Sequence, residues 1–155
     1  MSSSSSAFPG RIVLINPHLP QLDLSQLTDK LVHEAIHSLL YAVEVEHPLV
    51  RDRALADGVY VVSPWTGTTL GFYSYLHACF VWYALWCFWS QAAVASVFPD
   101  ADVDGHVRRA RVGFTRGPLG ARVPDWSRIV VPVVEDLVEV FRETVQADDR
   151  VALDS

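Results

Sequence analysis

His33-Glu34-Ala35-Ile36-His37 is an HExxH motif. Residues four apart on a helix lie one turn apart on the same face, so both imidazoles can reach one metal ion with Glu34 beside them. In hydrolases that glutamate is the general base on a metal-bound water. Two histidines leave a site incomplete, and the third ligand decides the chemistry. Leu40 and Val43 stand three and six residues after His37, where a continuous motif would carry Gly and a third His. A glutamate from the next helix is excluded, because no Asp, Glu, Lys or Arg occurs between Asp57 and Asp100. Glu44 is two turns beyond His37 and reaches a shared metal poorly, so Glu44 and Glu46 read as solvated. His47, before Pro48, and His106, in a polar stretch, read as surface histidines. His77 remains, as third ligand or as a hydrogen-bonded core histidine. An imidazole inside an apolar run needs a partner, and a metal would supply one.

The elements that must position these residues follow from periodicity. Asp23 with Gln26 three residues on forms a helix cap, and Leu27, Leu31, Ile36, Leu39, Leu40 and Val43 then recur at helical spacing, which predicts a helix over 25–45. Arg11-Ile12-Val13-Leu14-Ile15, between Pro-Gly and Asn-Pro, predicts a strand, and Gly58-Val59-Tyr60-Val61-Val62 a second. Thr66-Gly67-Thr68-Thr69 reads as a loop into a long apolar helix over 70–97. Between Val103 and Pro124 the chain turns rich in Arg and Gly, which reads as a basic hairpin or loop. Pro132 opens a third helix with Val134, Leu137, Val138, Phe141 and Val145 on one face.

Composition narrows the function classes. The chain has 155 residues, 50% hydrophobic and 19% charged, with a net charge of -6. That excludes a disordered chain and argues against general binding to a phosphate backbone, so nucleic acid is not an expected partner. The segment 71–98 is long enough to span a bilayer, but it contains Ser74, His77, Ser90 and Gln91 and has acidic flanks, so a buried helix is the better reading. Cys79 and Cys87 lie in that one apolar run and read as inert buried thiols in a reducing, cytoplasmic setting. Residues 1–7, mostly serine, are expected to be a flexible terminus, 8–148 one metal-binding catalytic domain, and 149–155 a tail.

Phe8-Pro9-Gly10 before a strand, Leu31-Val32-His33-Glu34-Ala35-Ile36-His37-Ser38-Leu39-Leu40, Ser63-Pro64-Trp65 and Leu76-His77-Ala78 occur in that order. Together they resemble the HExxH-motif peptide β-hydroxylases of bacterial natural-product pathways, which depend on iron(II) and 2-oxoglutarate. The resemblance covers residues 8–90. It implies that His33, His37 and His77 bind iron(II), with 2-oxoglutarate as cosubstrate, and that Glu34 orients a ligand or water. In that family arginines follow Ser-Pro-Trp, whereas Thr66-Gly67-Thr68-Thr69 follows here, so Arg108, Arg109 and Arg111 become the candidates for holding the cosubstrate carboxylate. Trp65, Tyr73, Phe80 and Trp82 are the expected lining of an apolar substrate pocket.

The expected molecule is thus a mainly helical α+β protein, its HExxH helix packed on a long buried apolar helix with a short β-sheet. Its expected activity is an oxygenase or hydroxylase tailoring a peptide, a small natural product or a carrier-bound substrate, as a monomer or homodimer. The alternative is a zinc-dependent hydrolase, or a non-redox lyase or cyclase, with Glu34 as general base.

Overall fold

A computed structural model describes residues 2–4, 12–14 and 23–153, with side chains described for 23–148. In chain order, strands β1 (Ser2–Ser4) and β2 (Ile12–Leu14) precede helix α1 (Leu24–Glu46) and the one-turn helix α2 (Arg53–Ala56). Strands β3 (Tyr60–Val62) and β4 (Thr69–Gly71) lead into helix α3 (Phe72–Trp89), and then come α4 (Ala92–Ala95), α5 (Asp100–Arg111), α6 (Trp126–Ile129) and α7 (Pro132–Leu153). The protein is therefore mainly helical α+β, as its patterning predicts, with two separate antiparallel strand pairs, β1–β2 and β3–β4. Ser2–Ser4, expected to lie outside the fold, pair with β2 in the register Ser2↔Leu14. Likewise α7 continues to Leu153, through most of the expected tail. Phe8-Pro9-Gly10 lies outside the described residues.

Contacts divide the chain into two compact units, Met1–His47 with Ala84–Arg108, and Pro48–Tyr83 with Arg109–Ser155. In the first unit, α1 starts where expected because Asp23 caps it, its Oδ1 accepting the Gln26 N–H at 2.7 Å. The face it buries is not the expected one. Leu31, Leu39 and Val43 are exposed, and the buried residues are Ser25, Asp29, Glu34, Ser38 and Leu40. Periodicity finds the helix, but polar partners on other elements decide which side is turned inward.

The apolar helix α3 stops at Trp89, eight residues before the expected end at Val97, where Ser90 and Gln91 supply polar groups and Gln91 becomes the N-cap of α4. Among the described residues no helix is long and apolar enough to cross a membrane. The expected basic loop is also corrected, because residues 103–111 are helical, as part of α5. Pro99 sits at its start, Asp100 and Asp102 in its first turn, and Arg108, Arg109 and Arg111 at its end, a charge order that complements the helix dipole.

In the second unit, β3 and β4 form a hairpin with Val61 opposite Leu70, and Gly67 takes the positive φ of 74° that the turn requires. Segments far apart in sequence are clasped at Val50↔Val130, with Val131 N–H donating to the Leu49 carbonyl. Buried Trp65 anchors the core of this unit, its Nε1 donating to the Ala110 carbonyl at 2.8 Å, its ring stacked on Trp82 and edge-on to Phe114. Gly113 backs directly onto the Trp65 ring, and a Cβ there would overlap the indole. Val134, Val138 and Val145 of α7 are buried as expected, Phe141 stacks on Tyr83 at 4.0 Å, and Leu137 faces outward. Gly113→Ala should therefore lower stability by about 2 kcal/mol or more in urea denaturation. Gly105→Ala, mid-helix with open space around it, should raise it by up to about 1 kcal/mol. Equal effects at the two sites would show that the Trp65 packing is not as described.

Candidate functional site

The HExxH residues lie in the middle of α1. His33 and His37, both half-buried, have ring centroids 4.9 Å apart, and the next residue in the same row, Tyr41, lies over His37 at 6.1 Å. This is the one-turn spacing that lets two imidazoles serve one ion. Glu34 points to the buried side of the helix, at 5% exposure, with Ser38 one turn further on. Burial, reinforced by the carboxylates of Glu34 and Glu44, holds the Tyr41 phenol above its ordinary pKa, so it stays a neutral hydrogen-bond donor at physiological pH. The Ser38 hydroxyl is buried and has no hydrogen-bond partner among the described residues, which marks this side of α1 as a place suited to a polar group.

The remaining expected site residues belong to other elements. His77 is buried on α3, flanked by fully buried Leu76 and Cys79, and burial pushes the Cys79 thiol up, so that it is an inert hydrophobe. Among the described residues no three His, Cys, Asp or Glu side chains are grouped to hold a metal ion. Arg108 pairs with Asp104 in the open at 3.9 Å, and Arg109 lies over the Trp82 ring at 5.8 Å. Of the expected pocket residues, Trp65 and Trp82 pack on each other, Phe80 packs edge-on against Phe141, and Tyr73 lines a cleft of about 230 Å³ with Asp57, Tyr60 and Phe72. A larger open cleft, about 470 Å³, contains none of them and is lined by Trp126, Ser127, Glu135, Asp136 and Glu139.

One connected buried polar group in the first unit was not expected from the sequence. His106, read as a surface residue, is buried on α5 at 8% exposure. Its Nδ1 lies 3.1 Å from Asp29 Oδ1 and its Nε2 3.2 Å from Ser25 Oγ, while its ring stacks on Trp89 at 4.1 Å and 6°. Trp89 Nε1 donates to the same Asp29 oxygen at 3.0 Å, and Ser25 Oγ donates to Asp23 Oδ1 at 2.8 Å. The capping hydrogen bond from Gln26 first, and the Ser25 hydroxyl second, hold Asp23 below the ordinary carboxylate range. The available signal was the spacing of Ser25 and Asp29, one turn apart on α1 and within its polar buried row. Nothing in the local pattern pairs them with a histidine 81 residues beyond Ser25.

Comparison with family models, with curated proteins and with solved structures returns no match.

Trp89→Phe keeps the stack on His106 but removes one donor from a buried carboxylate, and should cost about 1–3 kcal/mol in thermal or urea unfolding. A cost near zero would show that Asp29 is satisfied without the indole. Asp23 has its pKa depressed on folding, so its contribution is complete above its unfolded value and is lost as pH falls through the folded one. Asp23→Asn, which keeps a capping oxygen, should flatten stability against pH below about pH 4. Asp23→Ala should cost about 1 kcal/mol at neutral pH. Acid curves that coincide for Asp23→Asn and wild type would remove the cap from the account.

Proposed function

We propose that the protein is a metal-dependent enzyme in which His33 and His37 are two of the ligands, and that it is an iron(II)- and 2-oxoglutarate-linked oxygenase tailoring a peptide or small natural product. The observation that carries the reading is the His33–His37 pair, half-exposed and one turn apart in the middle of a well-capped helix. Two imidazoles on one helical face fit part of a coordination sphere for iron(II) or zinc. When bound, iron(II) supplies dioxygen activation coupled to oxidation of the 2-oxo acid. The protein's own groups contribute position and polarity. Tyr41 remains a neutral hydroxyl beside His37, and the burial of Glu34 supports a role in orienting a ligand or water. The order of short motifs along residues 8–90 supports the same family. Cys79 and Cys87, neither of them in a disulfide, suit a reducing compartment, and we place the protein in the cytoplasm.

One observation favours a second reading. Arg108 lies beside Asp104 and Arg109 over the Trp82 ring, so holding a 2-oxoglutarate carboxylate would require these two to exchange those contacts. A zinc-dependent hydrolase, or a non-redox lyase or cyclase, needs no such cation and would use Glu34 as base. Anaerobic titration of metal-free protein with iron(II), then 2-oxoglutarate, separates the two. The oxygenase reading expects a visible absorption band that needs both additions and is lost in His33→Ala and in His37→Ala, with His77→Ala testing the third ligand suggested by the sequence. Zinc retained on purification, no band, and loss of hydrolytic activity in Glu34→Gln would overturn it in favour of zinc chemistry. Stoichiometric metal binding undiminished in both His33→Ala and His37→Ala would sink both readings.

A further inference from the structure

Ser25, His106 and Asp29 form a connected hydroxyl, imidazole and carboxylate inside the first unit, and the metal reading uses none of them. Their proton arrangement is constrained. Asp29 is an acceptor, so His106 Nδ1, 3.1 Å away, carries a hydrogen. In the neutral imidazole Nε2 is then a lone pair, and its neighbour at 3.2 Å is the Ser25 hydroxyl. The Trp89 ring, stacked at 4.1 Å, fixes the plane of the imidazole, and its Nε1 donates to the same carboxylate oxygen. A hydroxyl within reach of a base that is itself oriented by a third group is the signature of an activated nucleophile. The hydroxyl hydrogen has two acceptors, Nε2 at 3.2 Å and Asp23 Oδ1 at 2.8 Å, and the serine is armed when that hydrogen lies on Nε2.

We propose that Ser25 is an acyl-accepting nucleophile, with His106 as its base and Asp29 as the positioning carboxylate, and that it acts on neutral carboxylic esters with small apolar acyl groups. The Asp23 carboxylate beside Oγ repels anionic substrates, and the ring cluster of Phe88, Trp89 and Phe98 favours an apolar acyl chain. In the first step a bond forms between Oγ and the ester carbonyl carbon while the hydroxyl proton passes to Nε2. The carbon–oxygen bond to the alcohol breaks, and the alcohol leaves with that proton. Water then attacks the acyl carbon, giving its proton to Nε2. The acyl–Oγ bond breaks, and the proton returns to Oγ as the carboxylic acid departs.

The test is to treat the full-length protein with a fluorophosphonate probe, locate the label by peptide mass spectrometry, and follow p-nitrophenol release from p-nitrophenyl acetate. A label on Ser25 is expected, with release falling roughly 100-fold in Ser25→Ala. Asp29→Asn can still accept from the Trp89 indole and should keep its circular dichroism spectrum. It should label roughly 100-fold more slowly and with a shifted pH profile. Folded wild-type protein that carries no label at Ser25, or labelling as fast in Asp29→Asn as in wild type, would overturn the proposal and leave the three residues as a structural clamp.

Discussion

A carboxylate sealed inside a protein must be matched by donors, and Asp29 is the group on which the first unit depends. The Trp89 indole and the His106 imidazole meet on one of its oxygens, so a single side chain of α1 ties together the end of α3 and the body of α5. Removing one partner from such a group costs far more than the pair contributes over an apolar replacement, because the charge is left without compensation. This explains why α1 buries a polar row and leaves Leu31 and Leu39 outside. At the Ser25 and Asp29 end of that row, burial is matched by partners on α3 and α5.

The second unit is held by a different device. There two buried aromatic side chains donate to backbone carbonyls, Trp65 to Ala110 and Tyr75 to Leu119. Each ring contributes apolar area and a directional bond at once, which fixes the last turn of α5 against the hairpin and the segment after it against α3. Gly113 and Gly120 are needed for space, since each lies against an indole, of Trp65 and Trp126 respectively.

What could be read from the sequence was local. The cap at Asp23, the helix that carries HExxH, the strand before Ser63-Pro64 and the valine row of α7 are all set by neighbours within four residues, and each appears within a residue or two of its expected place. Two misreadings share one cause. The arginines of 108–111 suggested a loop by composition alone, although the acids at 100–104 already complete a helix of complementary polarity. His106 then inherited the surface character of that supposed loop, when its position on α5 turns it toward Asp29. The polar cluster itself was not legible, because its members come from three helices and no spacing rule relates them.

Neither compact unit is a continuous stretch of chain. The first needs residues up to Arg108, and the second, begun at Pro48, is closed only by the segment that clasps Val50 to Val130. During synthesis at roughly 5–20 residues per second, Asp29 therefore emerges several seconds before the histidine that neutralises its burial. The contacts that Asp29 makes with His106 therefore form only once α5 has been made, and with them the inward face of α1 is fixed.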